Sequence, residues 1–235
     1  MTTRSLLILT LAGAAPAAAQ VGYPPDKSPF RDIRHKQSVT FIIGDFGGDG
    51  GRLGIGPHDG AAYGVRYDYR LSNSIQFAGS VSRAELERLV AHPDAPVAEQ
   101  RTGPVGQTVT FAEVSLQLNL TGAKTWRRLA PYVGVGGGLA FGSSTPADTT
   151  AYEFGNKLYV APNLGVRVFL TDQLHLRAEA RQVFWKLSYP ASFADEPSED
   201  PGSEDDPHAL IPDGRLDDWS GGRWLWVGLG YSFSF

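Results

Sequence analysis

The sequence predicts an all-β chain, an eight-stranded antiparallel up-and-down transmembrane β-barrel with short turns at one end and long loops at the other. Three observations predict it. Eight stretches alternate apolar with small or polar residues at period two, as strands do when their two faces meet different surroundings. Short and long connections alternate along the chain, which suits antiparallel neighbours whose ends face different compartments. The apolar side carries no Lys, Arg, Asp or Glu across its central span, while the other side carries Arg66, Asp68, Arg70, Glu113, Arg167, Arg177, Glu179 and Arg181. A soluble barrel has these sides the other way round.

The N-terminus reads as a cleaved secretory signal over residues 1–19. Arg4 supplies the positive start, residues 6–11 the apolar run and Ala17-Ala18-Ala19 the cleavage site. Its 14 residues from Leu6 to Ala19 include Pro16 and fall short of the ~20 needed for a spanning helix. Residues 20–34, with Pro24, Pro25 and Pro29, form an extended lead-in or a short plug, and residues 35–235 form the barrel.

The first strand is expected over 34–44, with Val39, Phe41 and Ile43 outward, before a glycine-rich loop over 45–60. The second, 61–71, turns Tyr63, Val65, Tyr67, Tyr69 and Leu71 outward. Ser72-Asn73 leads into the third, where Ile75, Phe77 and Val81 share that face. Residues 83–106 form a long connection, of which 84–91 either continues the strand or makes a helical turn. The fourth strand, 107–121, puts Val114, Leu116, Leu118 and Leu120 outward, although Val109 and Phe111 have the other parity. A bulge or an extension above the membrane would account for them.

After a short connection over 121–129, the fifth strand (APYVGVGGGLAFG, 130–142) has glycines on its inner face, which suits a narrow interior filled by long side chains from the facing wall. The sixth, 156–170, contains Pro162, which has no N–H to give and belongs at a bulge or at the strand's end. Thr171-Asp172 leads to the seventh, where Leu174, Leu176, Ala178 and Ala180 oppose His175, Arg177, Glu179 and Arg181. The last loop runs over 190–221. The eighth strand ends GLGYSFSF, with Tyr231, Phe233 and Phe235 on its apolar face.

Composition narrows the chemistry. The chain has no Cys, so disulfides and thiolate metal sites are excluded. A net charge of -4 and a pI of about 5.7 argue against nucleic acid as a partner. His35, His58, His92, His175 and His208 form no HxH or HxxxH pair, so zinc has no local ligand set. His175 reads as a satisfied interior histidine. The stretch GDFGGDG from Gly44 lacks the GKS or GKT ending of a phosphate loop. No catalytic, cofactor-binding or metal-ligating residue is therefore assigned, and no cofactor is expected.

The last loop is the strongest local anomaly. It holds ten acids against Arg215 alone, which suits either a solvated, mobile surface loop or the capture of divalent cations by clustered carboxylates. Candidate aromatic belts are Trp126, Tyr231, Phe233 and Phe235 at the turn end and Trp185, Trp219, Trp224 and Trp226 at the loop end.

The signal, the APYVGVGGGLAFG and LHLRAEAR strands and the closing GLGYSFSF resemble the small eight-stranded outer-membrane barrels related to the OmpA membrane domain and the OmpX-like proteins. The resemblance covers 37–235. It implies residence in the outer membrane of a Gram-negative-type bacterium, with both termini periplasmic and loops outside. Outer-membrane lipids and lipopolysaccharide are the implied neighbours, and the barrel-assembly machinery is implied to read Tyr231, Phe233 and Phe235. A non-enzymatic structural or surface-interaction role is expected. A lipid A deacylase or acyltransferase and a narrow solute channel are the alternatives, and the interior charges are expected to pair rather than line an open pore.

Overall fold

The computed structural model describes residues 27–145, 148, 150 and 152–234. The signal over 1–19, the start of the lead-in and Phe235 lie outside the described residues. The chain is all-β. Its strands are β1 (Phe30–Asp32), β2 (Gln37–Gly48), β3 (Gly60–Arg70), β4 (Ile75–Ala91), β5 (Arg101–Asn119), β6 (Lys124–Trp126), β7 (Leu129–Gly142), β8 (Asn156–Phe169), β9 (Leu174–Ser188) and β10 (Asp217–Phe233).

They form one antiparallel sheet of ten strands in the order β1-β6-β7-β5-β4-β3-β2-β10-β9-β8, with a further β7–β8 pairing. This corrects the expected eight-stranded barrel. The two additional strands are three residues each, too short to show a period, and lie in segments assigned to the lead-in and to a short connection. Phe30–Asp32 pairs with Lys124–Trp126, so part of the lead-in is held to the sheet. Ile33 follows, donating its N–H to Ala123 and burying its side chain with Ala130 and Phe169.

The other strands run from 11 to 19 residues, which matches or exceeds the ~9–11 of a tilted membrane crossing, and in the longer ones the excess lies at the loop end. β4 continues through Ala91, with a register irregularity between Arg88 and Val90, and β5 starts at Arg101. The connection expected over 83–106 thus shrinks to 92–100. Pro162 sits in mid-strand opposite Val135, not at a strand end. The β8–β9 ladder lacks pairs at 161 and 162 and resumes in the same register, so the missing N–H is absorbed by a local gap.

The period-two reading of the faces holds throughout. Phe41, Ile43, Val81, Val114 and Leu164 are each 58–66% exposed, while Arg66, Asp68, Arg177 and Glu179 on the other face are at most 4% exposed. Val109 and Phe111 need no bulge. They continue the parity of Glu113 without a register break and are buried. The enclosed face has two zones: a polar one toward the short turns and, toward the loops, an apolar one built on Phe46, Phe111, Trp185 and Trp224.

Candidate functional site

Arg177 in β9 organises the polar zone. Its Nη1 donates to both carboxylate oxygens of Asp68 at 3.0 Å, its Nε to the Tyr132 hydroxyl at 2.7 Å, and its Nη2 to Gln117 Oε1 at 2.8 Å and Glu179 Oε2 at 3.2 Å. All three guanidinium nitrogens are engaged, which lowers the cost of burying the arginine. Tyr132 passes the interaction on, donating to Glu179 Oε2 at 2.6 Å. Arg181 bridges Glu179 Oε1 and, at 2.6 Å, Glu113 Oε2. Arg66 donates to Asp68 at 2.9 Å and to Ser115 at 3.0 Å, and Arg167 donates to Asn119 at 2.7 Å.

The network therefore ties together β3, β5, β7, β8 and β9. Its parity follows from the sequence, since alternate residues of each strand point inward. The guanidiniums of Arg177 and Arg181 also lie 5.5 and 5.4 Å from the Trp226 ring, which carries the polar zone into the aromatic one. The inner glycines of β7 have the anticipated reason. A Cβ on Gly136 would come within 2.6–2.9 Å of the Glu113 carboxylate group. On β10, Gly230 makes the same kind of room for the His175 ring.

His175 is buried, as its parity requires, and its Nδ1 lies 3.2 Å from the Ser232 hydroxyl. A cross-strand pair of this kind cannot be seen from spacing within one strand. The expected full satisfaction is half met, because Nε2 has no hydrogen-bond partner. The pair is sealed from solvent, and the His175 ring packs 5.2 Å from that of Phe169. Among the described residues, no group of three or more His, Cys, Asp or Glu is placed to hold a metal ion.

The loop end is packed rather than splayed. Phe193 and Ile211 from the last loop, with Leu53, Ile55 and Phe154, are at most 2% exposed and close over the aromatic zone. The acids of that loop disperse into separate tasks, contrary to the picture of a loop held apart by repulsion. Asp213 pairs with Arg52 at 3.1 Å and Asp217 with Lys186 at 2.6 Å. Glu196 accepts the backbone N–H groups of Gly202 and His208. These two bonds hold the Glu196 carboxyl below its usual range, while the Asp200 carbonyl, bonded to the His208 ring, raises that histidine.

The aromatic belt is thinner than expected. Trp219 at the loop end and Trp126 and Tyr231 at the turn end are exposed, but Trp185, Trp224 and Trp226 are core residues at most 3% exposed. At the turn end, β6 and β7 are joined by Arg127 and Arg128, with φ of 49° and 71°. Positive φ at both central residues is the signature of a type I′ hairpin turn, which favours Asn and Gly. For arginine the left-handed region costs on the order of 1 kcal/mol per residue.

No family model matches the chain, and no curated protein matches it. Solved structures do. Neisserial surface protein A (NspA) is similar with a TM-score of 0.53 at 15% identity, over 84% of this chain and 97% of that one. The outer membrane protein OprG from Pseudomonas aeruginosa is similar with a TM-score of 0.51 at 11% identity, over 87% and 100% of the respective chains. At these identities the likeness is one of fold. The narrower resemblance to the eight-stranded OmpA and OmpX-like family is corrected accordingly: the sheet has ten strands, and what it shares is an all-β, antiparallel architecture resembling outer-membrane barrel folds.

Proposed function

We propose that this chain is a non-enzymatic protein of the outer membrane, with a structural or surface-interaction role exercised at its loop end. One observation carries the reading. Between the turn end and the level of Asp45, Arg83 and Arg223, the exposed side of the long strands presents only uncharged, mostly apolar side chains, while the charged side chains of the same strands are buried against one another. Water would not favour that inversion, and hydrocarbon requires it. In this reading the short turns and both chain ends face the periplasm, lipids surround the strands, and Tyr231, Phe233 and Phe235 are offered to the assembly machinery.

The packed interior speaks against transport. Solute would have to part the Arg177 network and then the stacked Phe46 and Trp185 rings, 5.6 Å apart. Fractionation of cells expressing the full chain, with a folded band that shifts mobility on heating, tests the location. Single cysteines added to this cysteine-free chain test the orientation. Glu204→Cys is expected to react with an impermeant maleimide on intact cells, and Thr171→Cys only after the envelope is opened. Recovery of the protein without detergent would refute the location, and the opposite labelling would refute the orientation. Planar bilayers should show no steady conductance, and reproducible single-channel steps would reject the scaffold reading.

A further inference from the structure

The turn end carries a feature that the proposed role does not use. Among the described residues it gathers eight bases, Lys27, Arg31, Arg34, Lys36, Arg70, Lys124, Arg127 and Arg128, against two acids, Asp32 and Asp172. The sheet itself brings them together. β1 pairs with β6, Arg70 donates to the Ile33 carbonyl at 2.9 Å, Arg128 donates to the Leu170 carbonyl at 2.8 Å, Arg34 pairs with Asp172 at 2.9 Å, and Lys124 lies 4.0 Å from Asp32 in an exposed, loose pair. Among the described residues, no ion pair involves Lys27, Arg31, Lys36 or Arg127.

Beside this basic rim runs an apolar groove of about 540 Å³, lined by Phe30, Leu120, Trp126, Leu129, Pro131 and Val166. It is formed by Phe30 and Trp126 of the small β1–β6 ribbon together with Leu129 and Pro131 of β7 and Val166 of β8. Its size falls in the range of small-molecule sites, and it opens onto the apolar band. Arg127 sits over the Trp126 ring, 5.4 Å from its centroid, so its charge is held at the mouth of the groove. The left-handed backbone at Arg127 and Arg128 is a conformation glycine would adopt without strain, yet the position presents two guanidiniums. Strain kept at a place where a cheaper residue exists directs attention to the side chains it displays.

We infer that this groove and rim hold an anionic phospholipid of the membrane leaflet at the turn end, with an acyl chain against Phe30 and Trp126 and its phosphate against Arg127 and Lys124. The charge decides the occupant, since basic residues beside an apolar surface favour anionic headgroups. The inference rests on the proposed membrane location and orientation.

The test is native mass spectrometry of the detergent-extracted full chain, titrated with phosphatidylglycerol and with phosphatidylcholine of the same acyl chains. The wild type should retain phosphatidylglycerol preferentially. Arg127→Gly and Lys124→Gln should each reduce that preference on the order of fivefold, the size of one near-surface charge. Phe30→Ala should weaken both lipids alike, and Arg83→Gln, near the other end of the apolar band, should change neither. Arg127→Gly removes a side chain from a left-handed position, so its folded band should withstand heat at least as well as that of the wild type. A purely structural turn would show that stability with lipid preference intact. Equal retention of the two lipids by the wild type, an unchanged preference in a variant combining Arg127→Gly with Lys124→Gln, or displacement by equimolar lipid A would each overturn the inference. Because the cysteine labelling reports orientation separately, a correctly oriented protein without lipid preference fails here alone.

Discussion

Glu179→Gln is the sharpest perturbation of the buried network. Glu179 Oε2 accepts from Tyr132, Arg177 and Gln117, and Oε1 accepts twice from Arg181. Glutamine keeps the volume but must turn an NH₂ group toward one of those donor sets, so at least one arginine N–H loses its acceptor. The charge also changes. Four arginines (Arg66, Arg167, Arg177, Arg181) face three carboxylates (Asp68, Glu113, Glu179), so the substitution raises the buried excess by one positive charge. Breaking one side of a buried, bonded pair costs about 3–5 kcal/mol. The measurement is the urea midpoint of the protein folded into lipid vesicles, read from the heat-modifiable band. Arg181→Met, alone and combined with Glu179→Gln, completes a double-mutant cycle. A coupling of roughly 1 kcal/mol or more is expected, because the second change removes a partner already stranded by the first. Single variants within about 0.5 kcal/mol of wild type, the range of ordinary surface changes, would refute the view that this network holds the strands together.

Other outcomes follow from the remaining surfaces. Leu116→Arg places a charge in the middle of the apolar band and should cost about 2–4 kcal/mol in vesicles; a cost near zero would mean that this side does not meet hydrocarbon. Trp185→Ala removes the ring stacked on Phe46 and Phe111 and should cost about 3–5 kcal/mol, measured the same way. His208 is raised in the folded loop, so its contribution is fully present below its unfolded value of ~6.5 and is lost as pH rises through the folded one. Amide exchange of Gly202 and His208, corrected for intrinsic rate, should therefore show more protection at pH 6 than at pH 8.5, and His208→Ala should abolish the difference.

The faces of the strands were legible because a period of two leaves each residue only one alternative side. That is why Arg66, Glu113, Arg177 and Glu179 could be assigned to one enclosed surface before any contact was known. The residues that read ambiguously share one cause. A membrane-facing strand and an enclosed apolar zone both take aromatic side chains, so Trp185, Trp224 and Trp226 fit an interfacial belt by type and a core by position. Their parity with Glu179, Arg181 and Gly228 places them inside, and giving parity precedence over residue type would have found them. Val109 and Phe111 follow the same rule. Segments without a repeat gave no signal. Phe30–Asp32 and Lys124–Trp126 span three residues each, and they pair across more than ninety positions of chain. The His175–Ser232 contact likewise joins strands 57 positions apart.

If the exposed face of the long strands meets hydrocarbon, as proposed, while the other face packs against itself, partners are left to the ends of the molecule. Those ends have opposite character. The loop between β9 and β10 is strongly acidic, and the turn end is strongly basic. Strands of 11 to 19 residues place the two ends roughly 35–60 Å apart along the chain at ~3.3 Å per residue. The Debye length at 0.1 M salt is ~10 Å, so the fields of the two ends do not overlap in solution. Each end can thus attract its own ligand without disturbing the other, and a substitution at one end should leave binding at the other unchanged. Salt sensitivity at both ends, with no cross-effect between them, is the behaviour that a charge-sorted, sealed scaffold imposes.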